Sequence, residues 1–295
     1  MARSRSSLVV GATVLVMACT DGPSAPLPLP STNLSVQAAD AATLFARWVA
    51  VGTSISQGFA SEGVHVGTQE LSWPAQLGRR ADVQITQPWI ARPGCRSPFA
   101  VPLVTFRRES GESIVPSPSL SCAPNLPGVV LPTQNVAISG ARAIHILSAT
   151  PQNMPPSDAN TNLYARVLPP NTTQLGAMLI QQPLFVSLEV GGNEVLGARG
   201  GLVAIPQIVE DPAVFAAQFD AIVAQVKAAQ PQAVVLVGLP RDFSNVPGFR
   251  TGAELWADRL TLLGGFHVDV NANCNGNVNL VTVPTIVVGT IGAGL

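Results

Sequence analysis

Along the chain, short runs of consecutive apolar residues stop at glycine or small polar residues and alternate with stretches whose apolar positions follow a helical period. The first run is Trp48, Val49, Ala50 and Val51, and it ends at Gly52, Thr53 and Ser54. Apolar character on successive residues marks a strand buried on both faces, and small residues after it allow a sharp turn into a helix. A second run leads from Asn135 through Val136, Ala137 and Ile138 to Gly140, ahead of the helix-like residues 143–147. A third starts at Pro183 and breaks at Gly191 and Gly192, which present Asn193. Residues 83–85 read as a further strand, as do 233–239, a buried strand closed by Pro240. Residues 280–288 read as another, with Pro284 arguing for an edge position. Helices are predicted over 71–80, opened by Ser72 with Pro74 in the first turn, and over 211–229, where Pro212 stands at the start. In the second helix Val214, Phe215, Phe219, Ile222, Val223 and Val226 share a face. Strands alternating with helices predict an α/β fold, a mostly parallel sheet covered on both faces with ligands at the strands' carboxyl ends.

Two stretches lack periodicity. Residues 89–132 are rich in Pro, Ser and Arg and hold Cys95 and Cys122, and residues 150–172 read as another loop. So long an excursion inside a compact domain is uncommon and usually functional, which makes residues 89–132 a candidate wall of a substrate site.

The N-terminus has a different character. Arg3 and Arg5 precede an apolar stretch, residues 8–17, that is too short to span a bilayer comfortably. Val16, Met17, Ala18 and Cys19 then resemble the lipobox of a bacterial lipoprotein signal. That resemblance implies cleavage before Cys19 and lipid on its thiol, anchoring the protein to a membrane of the cell envelope. An ordinary secretory peptide or an uncleaved anchor are the alternatives, and each still exports the chain. Pro23, Pro26, Pro28 and Pro30 follow, so the chain divides into a signal (1–18), a Pro-rich tether (19–42) and one domain (43–295). Export makes a disulfide between Cys95 and Cys122 the expectation, since both lie in one irregular excursion. Cys274 is left over as a free thiol, an intermolecular bridge or one half of a pair.

Composition narrows the partners. With 47% hydrophobic and 11% charged residues over 295 positions, the chain can bury a sizeable core. A net charge of -1 offers no basic surface for a phosphate backbone, so nucleic acid is not an expected partner. The three histidines and spare cysteines show no metal-ligand spacing, and no cofactor is implied.

Three strand ends thus carry Ser54, Gly140 and Asn193. Their order resembles the SGNH hydrolases, the GDSL-type esterases and lipases, over about residues 47–239. The resemblance implies a flavodoxin-like three-layer sandwich with long loop insertions, a Ser54 nucleophile, and an oxyanion hole built from the Ser54 and Gly140 N–H groups and the Asn193 side chain. An ester of a small molecule or glycan is the implied substrate. Donors of this kind contribute about 3 kcal/mol each where negative charge develops on a carbonyl oxygen. Thr53 and Glu194 stand where the family usually has Asp.

The family's late Asp-x-x-His, whose His activates the serine, is not found. His65 comes too early for the role, His145 follows Arg142 at the relevant spacing, and His267, which follows Gly264, is the late candidate base. The pattern therefore predicts a domain incomplete at its C-terminus and feeble hydrolysis by these residues alone. The alternative function is a non-catalytic surface module that binds an ester or glycan without turnover.

Overall fold

A computed structural model of the chain describes residues 38–101, 105, 107–113, 121–155, 160–197, 205–238, 249–266, 269–278 and 280–282. Three strands, β1 (Trp48–Val51), β2 (Phe185–Leu188) and β3 (Ala233–Leu236), form an all-parallel sheet in that order. Val51 stands opposite Leu188, and Leu188 opposite Leu236. The open side of β1 is also occupied. Ala50 N–H donates to the Gln134 carbonyl at 2.8 Å, Val136 N–H to Ala50 at 2.9 Å and Ile138 N–H to Gly52 at 3.1 Å, so residues 134–138 run parallel to β1 as a loosely bridged fourth row. The predicted α/β class holds.

Alternation along β1 and β2 sorts their side chains onto two faces. Val49, Val51, Val186 and Leu188 enter a large core with Ile146, Leu163, Tyr164, Met178, Ile222 and Val226. These come from α5 (Ala143–Ser148), α6 (Thr161–Val167), α7 (Gln174–Ile180) and α9 (Pro212–Ala228). Trp48, Ala50 and Phe185 point the other way and meet Leu44 and Phe45 of α1 (Ala38–Ala46) and Trp73 and Leu77 of α4 (Trp73–Arg80). Trp48 is fully buried, and its indole N–H keeps a partner in Ser187 Oγ at 2.9 Å. Helix α1 starts inside the span read as tether.

The helix signals hold at α4 and α9. Ser72 accepts from Ala75 N–H with Pro74 in the first turn, and the Asp211 carboxylate accepts from Ala213 N–H at 2.8 Å. Other expectations need correction. Residues 83–85 form no strand, because Val83 N–H closes the end of α4 on the Gly78 carbonyl at 2.9 Å. The loop 150–172 contains α6, whose Leu163, Tyr164 and Val167 bury one helical face. Strand β3 is not buried: Val234, Val235 and Leu236 are each about half exposed. β5 (Leu280–Thr282) does not extend the parallel sheet but pairs antiparallel with β4 (Phe249–Thr251), followed by α10 (Gly252–Ala257) and α11 (Arg259–Phe266). Residues 283–288 of that predicted strand lie outside the described residues.

The Cys95–Cys122 disulfide is present. Around it the excursion folds back on itself through bridges at Ile90 with Asn125 and Phe99 with Arg108. Arg166 of α6 holds it with Nε on the Ala123 carbonyl at 2.7 Å.

Candidate active site

Ser54 opens a single-turn helix, α2 (Ser54–Gln57), three residues beyond the end of β1 pairing at Val51. Gly52 must be small here, since a Cβ would lie 2.5 Å from Ser56 Oγ and 3.0 Å from Glu189 Oε2. The turn is held from β2. Glu189 follows the last residue of that strand, is 1% exposed, and accepts three hydrogen bonds. Its Oε2 receives Thr53 N–H at 2.7 Å and Ser56 Oγ at 3.0 Å, and its Oε1 receives Thr53 Oγ1 at 2.6 Å. Trp73 Nε1 adds a donor to Ser56 Oγ at 3.0 Å. A buried carboxylate is costly unless paired in this manner. Between these fixed neighbours, the Ser54 hydroxyl and N–H have no partner among the described residues, and the Ser54 side chain is partly exposed.

Gly140 sits one row over. Ala141 N–H donates to the Ile138 carbonyl at 3.2 Å, which makes residues 138–141 a tight turn with Gly140 at φ +77°. Its own N–H has no acceptor among the described residues. A Cβ at Gly140 would meet Asn160 Nδ2, so that side chain covers the position. Gln57 of α2 links the two turns by accepting Ser139 N–H at 2.8 Å. Gln174 ties their strands from beneath, donating to the Gly52 and Val136 carbonyls at 2.8 and 2.9 Å.

On the other side, Gly191 (φ +112°) caps α8 (Gly192–Val195), which carries Asn193. Asn193 Nδ2 donates to the Ala141 carbonyl at 2.7 Å. Glu194 Oε1 accepts Ala143 N–H at 2.5 Å, and burial pushes the Glu194 carboxyl above its ordinary value, the Ala143 bond and Arg142 opposing. Glu194 Oε2 is buried with no hydrogen-bond partner among the described residues, while Arg142 Nη1 lies 3.2 Å from Glu210. The structure therefore brings the turns of Ser54, Gly140 and Asn193 to the carboxyl ends of three adjacent parallel rows.

Histidines are placed differently. His65 is 3% exposed, and its Nδ1 accepts Gly67 N–H at 2.9 Å, capping α3 (Val66–Gln69). Its Nε2 lies 3.3 Å from Glu109, an ion-pair distance without the alignment of a hydrogen bond. His145 Nδ1 accepts Arg142 N–H at 3.3 Å. His267 and Cys19 lie outside the described residues. No group of three or more His, Cys, Asp or Glu that could hold a metal ion occurs among the described residues.

Sequence reasoning missed Glu189, Gln57, Gln174 and Asn160. The signal for Glu189 was visible as a lone acid in an apolar run. The other three are ordinary polar residues that only tertiary structure brings to the strand ends. A cleft of about 650 Å³ lined by Leu71, Arg79, Ile85 and Trp89 touches none of the three motif turns. Concavity alone supplies no reactive group, and this cleft holds none of the motif residues. Comparison with known protein families, with curated proteins and with solved structures finds no match.

Proposed function

We propose that the chain is a serine ester hydrolase of the SGNH type, exported and held to a membrane by lipid on Cys19, acting on acyl or acetyl esters. One observation carries this reading. The rows 134–138, β1, β2 and β3 stand side by side in parallel, and the first three end at Gly140, Ser54 and Asn193. Counted in chain order the rows run 2-1-3-4, an order that agrees with a flavodoxin-like sheet, in which ligands sit beyond the carboxyl ends. In the reaction Ser54 Oγ attacks the ester carbonyl, its proton passes to a base, and the Ser54 and Gly140 N–H groups take the oxyanion. The alcohol then leaves, and water releases the acid. A disulfide agrees with an oxidising compartment and so with export.

The Asn193 bond to Ala141 favours a second reading, a module that binds an ester or glycan without turnover, because it engages the side chain meant for the oxyanion. Fluorophosphonate labelling and p-nitrophenyl acetate hydrolysis by the full-length chain separate the two. Ser54→Ala is expected to abolish both, and labelling that persists would remove Ser54 as nucleophile. His267→Ala is expected to leave the residual rate within about twofold, whereas loss of a true base costs several orders of magnitude.

A further inference from the structure

The Ser54 turn has no side-chain cap of its own: Thr53 stands at the N-cap of α2 and gives no capping hydrogen bond. A four-residue helix has little intrinsic stability, so something else must fix the orientation of its first residue. Glu189 supplies both ends of that constraint. It grips Thr53 through backbone N–H and hydroxyl, before Ser54, and Ser56 through its hydroxyl, after Ser54. The carboxylate itself is anchored at the end of β2, where Glu189 N–H donates to the Val51 carbonyl at 3.0 Å. No other side chain among those described bonds to both Thr53 and Ser56.

We propose that Glu189 is the positioning residue for Ser54, holding Thr53 before it and Ser56 after it so that its hydroxyl and N–H stay without a partner among the described residues. This rests on the hydrolase reading above. Glu189 neither touches substrate nor accepts the serine proton in this role. It acts through Thr53 and Ser56, so its worth lies in the placement of the turn. A misplacement of about 1 Å at a reacting group can cost about a hundredfold in rate. The side-chain amide of Gln can reproduce the bonds: one oxygen accepts Thr53 N–H and Ser56 Oγ–H, while NH₂ donates to a Thr53 hydroxyl that turns round. Glutamine should therefore rescue what alanine loses.

The test uses the full-length chain and four proteins: wild type, Glu189→Ala, Glu189→Gln and Ser56→Ala. The readouts are the rate of fluorophosphonate labelling, kcat and KM on p-nitrophenyl acetate, and amide hydrogen exchange across residues 52–57. Expected for Glu189→Ala is labelling slowed by about tenfold or more, a fall confined to kcat, and faster exchange at Thr53, with Glu189→Gln within about threefold of wild type. Equal labelling of wild type and Glu189→Ala, or Glu189→Gln as slow as Glu189→Ala, would overturn the role. If Glu189→Ala does not fold, Ser56→Ala decides: it removes one of three bonds and should both speed exchange across the turn and slow labelling, and no change in either refutes the proposal. A wild-type chain that takes no label sinks the hydrolase reading and this role with it, whereas a labelled wild type indifferent to Glu189 sinks the role alone.

Discussion

Asn193 Nδ2 and the Ala141 carbonyl oxygen lie 2.7 Å apart, which joins the turn after β2 to the turn after residues 134–138. One residue further along, Glu194 takes Ala143 N–H at the start of α5, so α8 holds both the Gly140 turn and the helix that follows it. Asn193→Ala leaves a backbone carbonyl without its donor. Unfolding stability should fall by about 1–3 kcal/mol in urea titrations. If the remaining amide proton of Asn193 also serves the oxyanion, labelling of Ser54 should slow by about a hundredfold or more. A labelling rate equal to wild type would assign Asn193 to structure alone.

Glu194 makes stability depend on pH. Burial raises its carboxyl in the folded chain, so the fold favours the protonated form. The stabilisation this gives is complete below the ordinary carboxylate value and is lost as pH rises through the raised one. Glu194→Gln keeps an acceptor for Ala143 N–H but cannot ionise. Its Tm should match wild type in acid and exceed it increasingly toward neutral pH, in thermal scans between about pH 4 and pH 8. A Tm difference that stays constant across that range would contradict the assignment.

The disulfide should account for a measurable share of stability. Cys95 and Cys122 are 27 residues apart, and the chain-entropy estimate for such a loop is about 3.5 kcal/mol. Replacing both by Ser should lower the urea-unfolding free energy by up to that amount. Wild type in reductant should then unfold with the double variant, and an unchanged midpoint in reductant would show that bridges such as Ile90 with Asn125 hold the excursion unaided.

Gly140 and Gly128 form a controlled pair. Both have positive φ, +77° and +88°, but a Cβ at Gly128 meets nothing within 4 Å whereas one at Gly140 meets Asn160. Gly128→Ala should cost only the left-handed backbone penalty, about 1–2 kcal/mol. Gly140→Ala should cost more, and the excess in a urea titration measures how firmly Asn160 is held. Equal losses would mean that Asn160 simply swings aside.

Much of this site could be read from local pattern. Trp48 to Val51 announced a buried strand because every residue is apolar, and Gly52 announced the turn because nothing larger fits against Ser56. Ser72 and Pro212 marked helix starts by local chemistry that acts within the first turn. Long-range facts were not readable. Glu189 meets Thr53 from 136 residues away, and Gln174 reaches Gly52 from 122. Strand β3 looked buried because Val234, Val235 and Leu236 are apolar, yet composition does not tell which face finds a covering helix. Residues 280–288 looked like another strand of the main sheet because sequence sets β propensity and not partner, and residues 280–282 pair with β4 instead.

The position of β1 also sets a schedule for synthesis. Trp48 bonds Ser187 at a sequence separation of 139, so this partner on β2 is made long after it. At about 5–20 residues per second, roughly 7–30 s separate the two on a translating ribosome. Through that interval Trp48, Val49 and Val51 have no β2 to pack against. The strand that leads into Ser54 is thus the first part of the sheet to be made, and its pairing is complete only once β2 has followed.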